Sequence, residues 1–200
     1  DPTDANPELG KELFESAVES LADQLAHALE AKFASVFAAH AEEAGAPFSA
    51  SAEAMARRAI ANLSLSYLVR TGKQQWLDAC AAQFKNATNM TDQAAALRNL
   101  VNSSAEAAGS LRSEALEAFH GQWQHEALVV DQWFAIQATN TLPGTLSRVE
   151  ELMQHADFDI KNPNKVRSLI GVFCGQNHLG FHAADGSGYR FLADCVIKLD

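Results

Sequence analysis

Apolar residues recur along most of this chain at steps of three and four, the spacing that gathers side chains on one face of an α-helix. Phe14, Val18, Leu21, Leu25, Leu29, Phe33 and Val36 form the longest such stripe. It predicts a single helix from about Leu9 to Glu43, preceded by DPTDANP (residues 1–7), a linker or a cut end. Gly45-Ala46-Pro47 breaks it. Ser49 or Ser51 can cap the next helix, with Met55, Ile60, Leu63, Tyr67 and Leu68 facing inward and Thr71-Gly72 stopping it. Trp76, Leu77, Cys80 and Phe84 mark a further helix. Asn89 or Thr91 caps the one that holds Leu97, Leu100 and Val101, and Asn102-Ser103-Ser104 makes the next break.

The second half continues the pattern. Leu111, Leu116, Phe119 and Trp123 form a stripe, Leu128 to Ala138 is almost wholly apolar around Asp131 and Gln132, and Pro143-Gly144 opens a helix ending at His155. Asn162-Pro163 is a helix start, because the Asn side chain accepts from an orphan amide and Pro at the first position gives up an N–H that had no partner. Val166, Leu169, Ile170 and Phe173 share one face of that helix, Gly175 ends it, and Asn177 to His182 is a connector. Asp185-Gly186-Ser187-Gly188 reads as a turn with glycines at positive φ before a last helix from about Tyr189. No stretch alternates with period two, so the chain reads as all-α: antiparallel helix pairs that either bundle or stack into a superhelix.

Composition narrows the function classes. The formal charge is -10, and residues 1–53 hold eleven Asp/Glu against Lys11 and Lys32. An acidic first quarter and a nearly balanced remainder argue against nucleic acid, which needs a clustered basic face, and against an anionic membrane surface. No run reaches the roughly 18 apolar residues of a spanning helix. Cys80, Cys174 and Cys195 are odd in number and widely spaced, as expected of reduced structural thiols in a reducing, cytoplasmic compartment.

Candidate chemistry is sparse. His125-Glu126 begins like the zinc motif H-E-x-x-H, but the position of the second His is Val129; His120 and His125 are five apart, about 140° around a helix. His178, His182 and Asp185 have metal-like spacing only if one helix runs through Gly180, so metal ligation, loop and cap hydrogen bonding and substrate-side contacts all remain open for them. Asp185 is placed to cap the last helix. Gly186-Ser187-Gly188 is not a nucleophile elbow, since it lacks the flanking strand. The chain therefore presents no recognisable catalytic set of its own, and no metal site is assigned from the sequence. Arg167 falls off the apolar stripe. It is either a surface arginine or a planar fork offered to a peptide carbonyl or carboxylate in a cavity.

Four blocks, NATNMTDQAAAL, HEALVVDQWFAIQAT, NPNKVRSLIGVF and FHAADGSGY, run in order between about Met55 and Asp200 and together resemble the C-terminal helical domain of the bacterial aminopeptidase N family. The resemblance implies a stacked, armadillo-like (ARM/HEAT) superhelix that closes the substrate chamber of a zinc metallo-aminopeptidase. It implies that zinc belongs to a catalytic domain of the same polypeptide, that peptides are the substrates, and that Arg167 lines the chamber. Residues 8–200 are then one helical domain without its final helices; Phe191, Leu192, Val196, Ile197 and Leu199 arrive just as the chain stops. The competing reading is a non-enzymatic helical scaffold that binds a protein partner.

Overall fold

The structure is a computed structural model that describes residues 7–42 and 46–199. Of the expected linker at residues 1–7, residues 1–6 lie outside the described residues and Pro7 already begins a helix; Glu43 to Gly45 of the expected break lie outside them too. Among those described there is no strand, and no helix is long and apolar enough to cross a membrane. Contacts divide the chain into two compact units, one of residues 20–118 and one of residues 1–19 with 119–200.

The predicted helix from Leu9 is two helices, α1 (Pro7–Ala28) and α2 (Glu30–His40), parted at Leu29 with φ -113° and ψ 13°. No Gly or Pro marks the break. Its cause is tertiary: α2 lies antiparallel on α3 (Ala52–Arg70), where Phe33 stacks on Tyr67 at 4.5 Å and Glu30 receives Lys73 Nζ at 2.6 Å and Trp76 Nε1 at 2.9 Å. Ser51 caps α3 by accepting from the Ala54 N–H. The face of α3 differs from the expected one. Met55, Ile60 and Leu63 are exposed, and the buried set is Arg58, Ala61, Ser64, Leu65, Leu68 and Val69. Small Ala61 and Ser64 let neighbouring helices approach, and Arg58 is buried because Glu42 accepts from it at 3.1 Å.

α4 (Gln74–Asn86) and α5 (Met90–Asn102) form the next antiparallel pair around Leu77, Cys80, Leu97 and Leu100, each removed from water entirely. Each such leucine contributes on the order of 2 kcal/mol of burial. Asn89 caps α5 as predicted, its Oδ1 accepting from Asp92 N–H at 2.9 Å. Arg112, on α6 (Ala108–Trp123), donates to the carbonyls of Leu100 and Ser103 at 3.4 and 2.6 Å. These are carbonyls that the end of α5 leaves without intrahelical partners. Burial holds the Arg112 guanidinium below its ordinary pKa.

In the second unit, α7 (Ala127–Ala138) pairs with α8 (Thr145–Leu152), whose entry is the left-handed Gly144 at φ 88°. Arg148 fastens the pair, donating twice to Gln137 Oε1 at 3.1 and 3.0 Å. α8 ends at Leu152, short of the predicted His155, which continues only as a turn. The predicted helix after Asn162-Pro163 is α9 (Pro163–Val166), a π-helical turn (Arg167–Gly171) and α10 (Val172–Gln176). α11 (His178–Phe181) and α12 (Ser187–Leu199) follow. Phe173 is the hub, fully buried and edge-on to Phe181 at 6.3 Å and Phe191 at 5.6 Å.

Candidate functional site around Arg167

Asn162 and Pro163 open α9 as their sequence demands: Asn162 Oδ1 accepts from Asn164 N–H at 3.0 Å and Pro163 occupies the first turn. Three cations, Lys161, Lys165 and Arg167, fall within the seven positions 161–167, and the fold separates them. Lys165 turns into the protein, 8% exposed, and pairs with Asp131 at 2.8 Å. Arg167 is exposed and donates to the neutral Asn164 Oδ1 at 3.3 Å. With Lys161 it borders a hollow of about 610 Å³ whose other walls include Val166, Ile170, Leu192 and Val196.

Arg167 begins the π turn. Val172 N–H bonds back to Arg167 O, five residues away, so one residue more than an α-turn fits between them. Leu169, Ile170 and Phe173 stay buried across this widened turn, while Val166 is half-buried. The surplus residue is accommodated on the outer side, where Arg167 and Gly171 are exposed.

The residues after α10 are held mainly by Asn177, only 1% exposed. Its Nδ2 donates to the carbonyls of Ala138 and Asn140 at 3.0 and 2.6 Å, and its Oδ1 accepts from Gly180 N–H at 2.9 Å. It staples this segment to the end of α7. Sequence reading passed over it, because an Asn in a connector carries no mark of which distant carbonyls it will meet.

His178, His182 and Asp185 do not converge. His182 Nδ1 lies 2.6 Å from Tyr189 Oη, His178 Nε2 meets Gly175 O at 3.1 Å, and Asp185 Oδ1 accepts from Ser187 N–H at 2.9 Å. Of the three readings open for them, loop and cap hydrogen bonding is what the geometry supports. The Ser187 hydrogen bonds hold the Asp185 carboxyl below its ordinary pKa. Gly186 has φ 71°, as the turn requires.

His125 and Glu126 are exposed between α6 and α7, and the position one turn on is Val129. They do not fit a catalytic zinc of the H-E-x-x-H kind. A different group of metal-type ligands does come together among the described residues: His120, His155 and Asp157. Burial, then the neighbouring His120, holds His155 below the ordinary imidazole pKa. The spacing argument, confined to His120 and His125, missed this cluster because its members are 35 and 37 positions from His120.

In the unit of residues 20–118 the NMTD block builds a polar knot. Asn62 Nδ2 donates to Asp92 Oδ1 at 2.7 Å, Asn89 Nδ2 to Asp92 Oδ2 at 2.8 Å, and Gln83 to Asn62 Oδ1 at 2.7 Å. Asp92 is thus satisfied by neighbours, which supports the capping role of Asn89 over a ligand loop.

Successive antiparallel helix pairs of this kind are the arrangement of a helical-repeat domain, and comparison with known proteins agrees. Residues 8–200 match the family described as a domain of unknown function, DUF3458_C, of ARM repeats, and the chain belongs to that family. Aminopeptidase N of Haemophilus influenzae is 42% identical to it over 146 residues, 73% of this chain and 16% of that protein. Aminopeptidase N of Caulobacter vibrioides is 40% identical over 153 residues (76% and 17%), and that of Escherichia coli K12 40% identical over 151 residues (74% and 17%). Among solved structures, Legionella pneumophila aminopeptidase A, in complex with aspartic acid, superposes with a TM-score of 0.79 at 30% identity, over 92% of this chain and 22% of that one. The chain spans 16–17% of the length of these curated relatives.

Proposed function

We propose that this chain is the C-terminal helical part of a cytoplasmic zinc metallo-aminopeptidase, where it walls the substrate chamber and offers Arg167 to bound peptide. On this reading the zinc belongs to a catalytic domain of the same polypeptide, as the resemblance to the aminopeptidase N family implies. The observation that carries this reading is Arg167 itself: exposed at the head of a π turn, beside a largely apolar hollow, and bonded to a neutral amide. A peptide carboxylate is a better acceptor for a guanidinium than that amide, because it is charged and matches the fork bidentately. The identity to three aminopeptidases over about three quarters of the chain supports the reading against a non-enzymatic scaffold.

The test is Arg167→Ala in the full-length enzyme, assayed with a tripeptide and with an aminoacyl arylamide that has no peptide group beyond the scissile bond. A lost charged hydrogen bond of about 1.5 kcal/mol raises KM for the tripeptide roughly tenfold and leaves the arylamide within about twofold. Equal changes for both substrates, or none, would count against the role. The 200-residue chain alone is expected to hydrolyse neither substrate, and robust turnover by it would overturn the proposal.

A further inference from the structure

We infer that His120, His155 and Asp157 form a binding site for one divalent transition-metal ion of the zinc, nickel or copper class. This site is separate from the catalytic zinc proposed for the parent enzyme and does not rest on that assignment. His120 comes from the last turn of α6, and His155 and Asp157 from the turns that follow α8. One ligand atom from each lies within 4.8 Å of the others. His120 Nε2 is 2.5 Å from Asp157 Oδ2, and His155 Nδ1 is 3.7 Å from the same oxygen.

The two separations to Asp157 suit an ion with small adjustments. Bonds of about 2.0–2.2 Å in a tetrahedral shell set neighbouring ligand atoms about 3.3 Å apart. The His155 to Asp157 separation needs to close by a few tenths of an ångström, and the His120 to Asp157 one to open by less than one. The side chains are between one fifth and one third exposed, so an ion and its remaining water ligands can reach them.

The rings are held before any ion arrives. His120 packs 4.9 Å from Trp133 and, edge-on, 4.9 Å from His155. His155 lies 5.2 Å from Trp133 and 6.0 Å from Phe134, both buried. A site whose ligands are already locked by packing loses little rotamer freedom on binding. The backbone N–H of Asp157 donates to His155 Nδ1 at 3.2 Å. An amide can only donate, so Nδ1 carries a lone pair toward Asp157, the form a metal needs. An ion would replace that amide at Nδ1 and displace the proton bridging His120 and Asp157. Two imidazole nitrogens and one carboxylate oxygen favour zinc, nickel or copper over magnesium or calcium.

The experiment is calorimetric titration of the chelator-stripped 200-residue chain with zinc, with cobalt(II) absorption as a second readout. One ion per chain is expected, with visible bands of a nitrogen-containing shell. His155→Ala and Asp157→Asn each weaken binding by at least about tenfold, while His125→Ala leaves it unchanged. Circular dichroism identifies a variant that has lost its helices, in which case His155→Gln replaces it. No stoichiometric binding by the folded chain, or equal binding by the folded His155 and Asp157 variants, overturns the site. Neither result bears on Arg167.

Discussion

Lys165 Nζ sits 2.8 Å from Asp131 Oδ1, joining α9 to α7, and lies 5.5 Å from the centre of the Phe134 ring. It also donates to Ala127 O at 3.4 Å. The side chains are 11% and 16% exposed, so each charge has given up most of its water and depends on the other. Lys165→Met leaves Asp131 without its cation and is expected to cost about 3 kcal/mol, whereas Lys165→Met with Asp131→Leu costs clearly less. Urea unfolding of the two variants measures the difference. A double variant as unstable as the single would show that packing, not charge, is what Lys165 supplies. The same pair explains why Arg167, two residues on, is the cation presented outward.

Glu30 makes stability depend on acid in a defined direction. Hydrogen bonds from Lys73, then Trp76, hold its carboxyl below the ordinary 4.5. In that window the unfolded chain binds more protons than the folded one, so the contribution is complete above pH 4.5 and drains away as pH falls through the lowered value. Melting temperatures across pH 3 to 7 should show a shallower acid loss in Glu30→Gln than in the native chain. Parallel curves would remove Glu30 from the account.

The helix ends were legible where the chemistry is local. Ser51, Asn89 and Asn162 cap, Pro163 starts and Thr71-Gly72 stops, each through atoms a few residues apart. The faces were legible only where the apolar stripe is narrow, as in α4 and α5. α3 carries large apolar residues around most of its circumference, so Ala61 and Ser64, by their smallness, decide which side is covered. The break at Leu29, the π turn and the joining of His120 to His155 and Asp157 depend on partners tens of residues away. Periodicity set Lys165 and Arg167 alike off the apolar stripe, and it could foresee neither that Lys165 turns inward nor the extra residue that begins at Arg167.

The cysteines are predicted to be inert in the folded chain. Cys80 is fully buried, its Sγ donating to Ala96 O at 3.4 Å, and burial pushes its pKa up to about 12. Cys174 is half-buried and raised to about 11, first by burial and then by Cys195, which is itself raised by burial. The thiolate is the reactive form, so iodoacetamide at pH 8 should label all three slowly, Cys174 first and Cys80 only on unfolding. Mass spectrometry of timed samples reads the order. Rapid labelling of Cys80 would mean that α4 and α5 part far more readily than their packing suggests.

Gly186 and Gly188 share one turn but are needed for different reasons. Gly186 has φ 71°, which costs an L side chain about 1–2 kcal/mol. The expectation of positive φ at Gly188 does not hold; its requirement is space. A Cβ there would lie 2.2 Å from Phe181 O and 2.7 Å from Phe181 Cα, both backbone atoms that cannot rotate away. Gly188→Ala must therefore push the start of α12 off α11 and strain the contact of Phe191 with Phe173. It is expected to cost about 3 kcal/mol, at the upper end of overpacking, against about 1–2 for Gly186→Ala. Denaturant midpoints of the two variants test the order. If Gly186→Ala proved the more damaging, the turn's dihedral rather than the approach of α12 to Phe181 would be the tighter constraint on this motif.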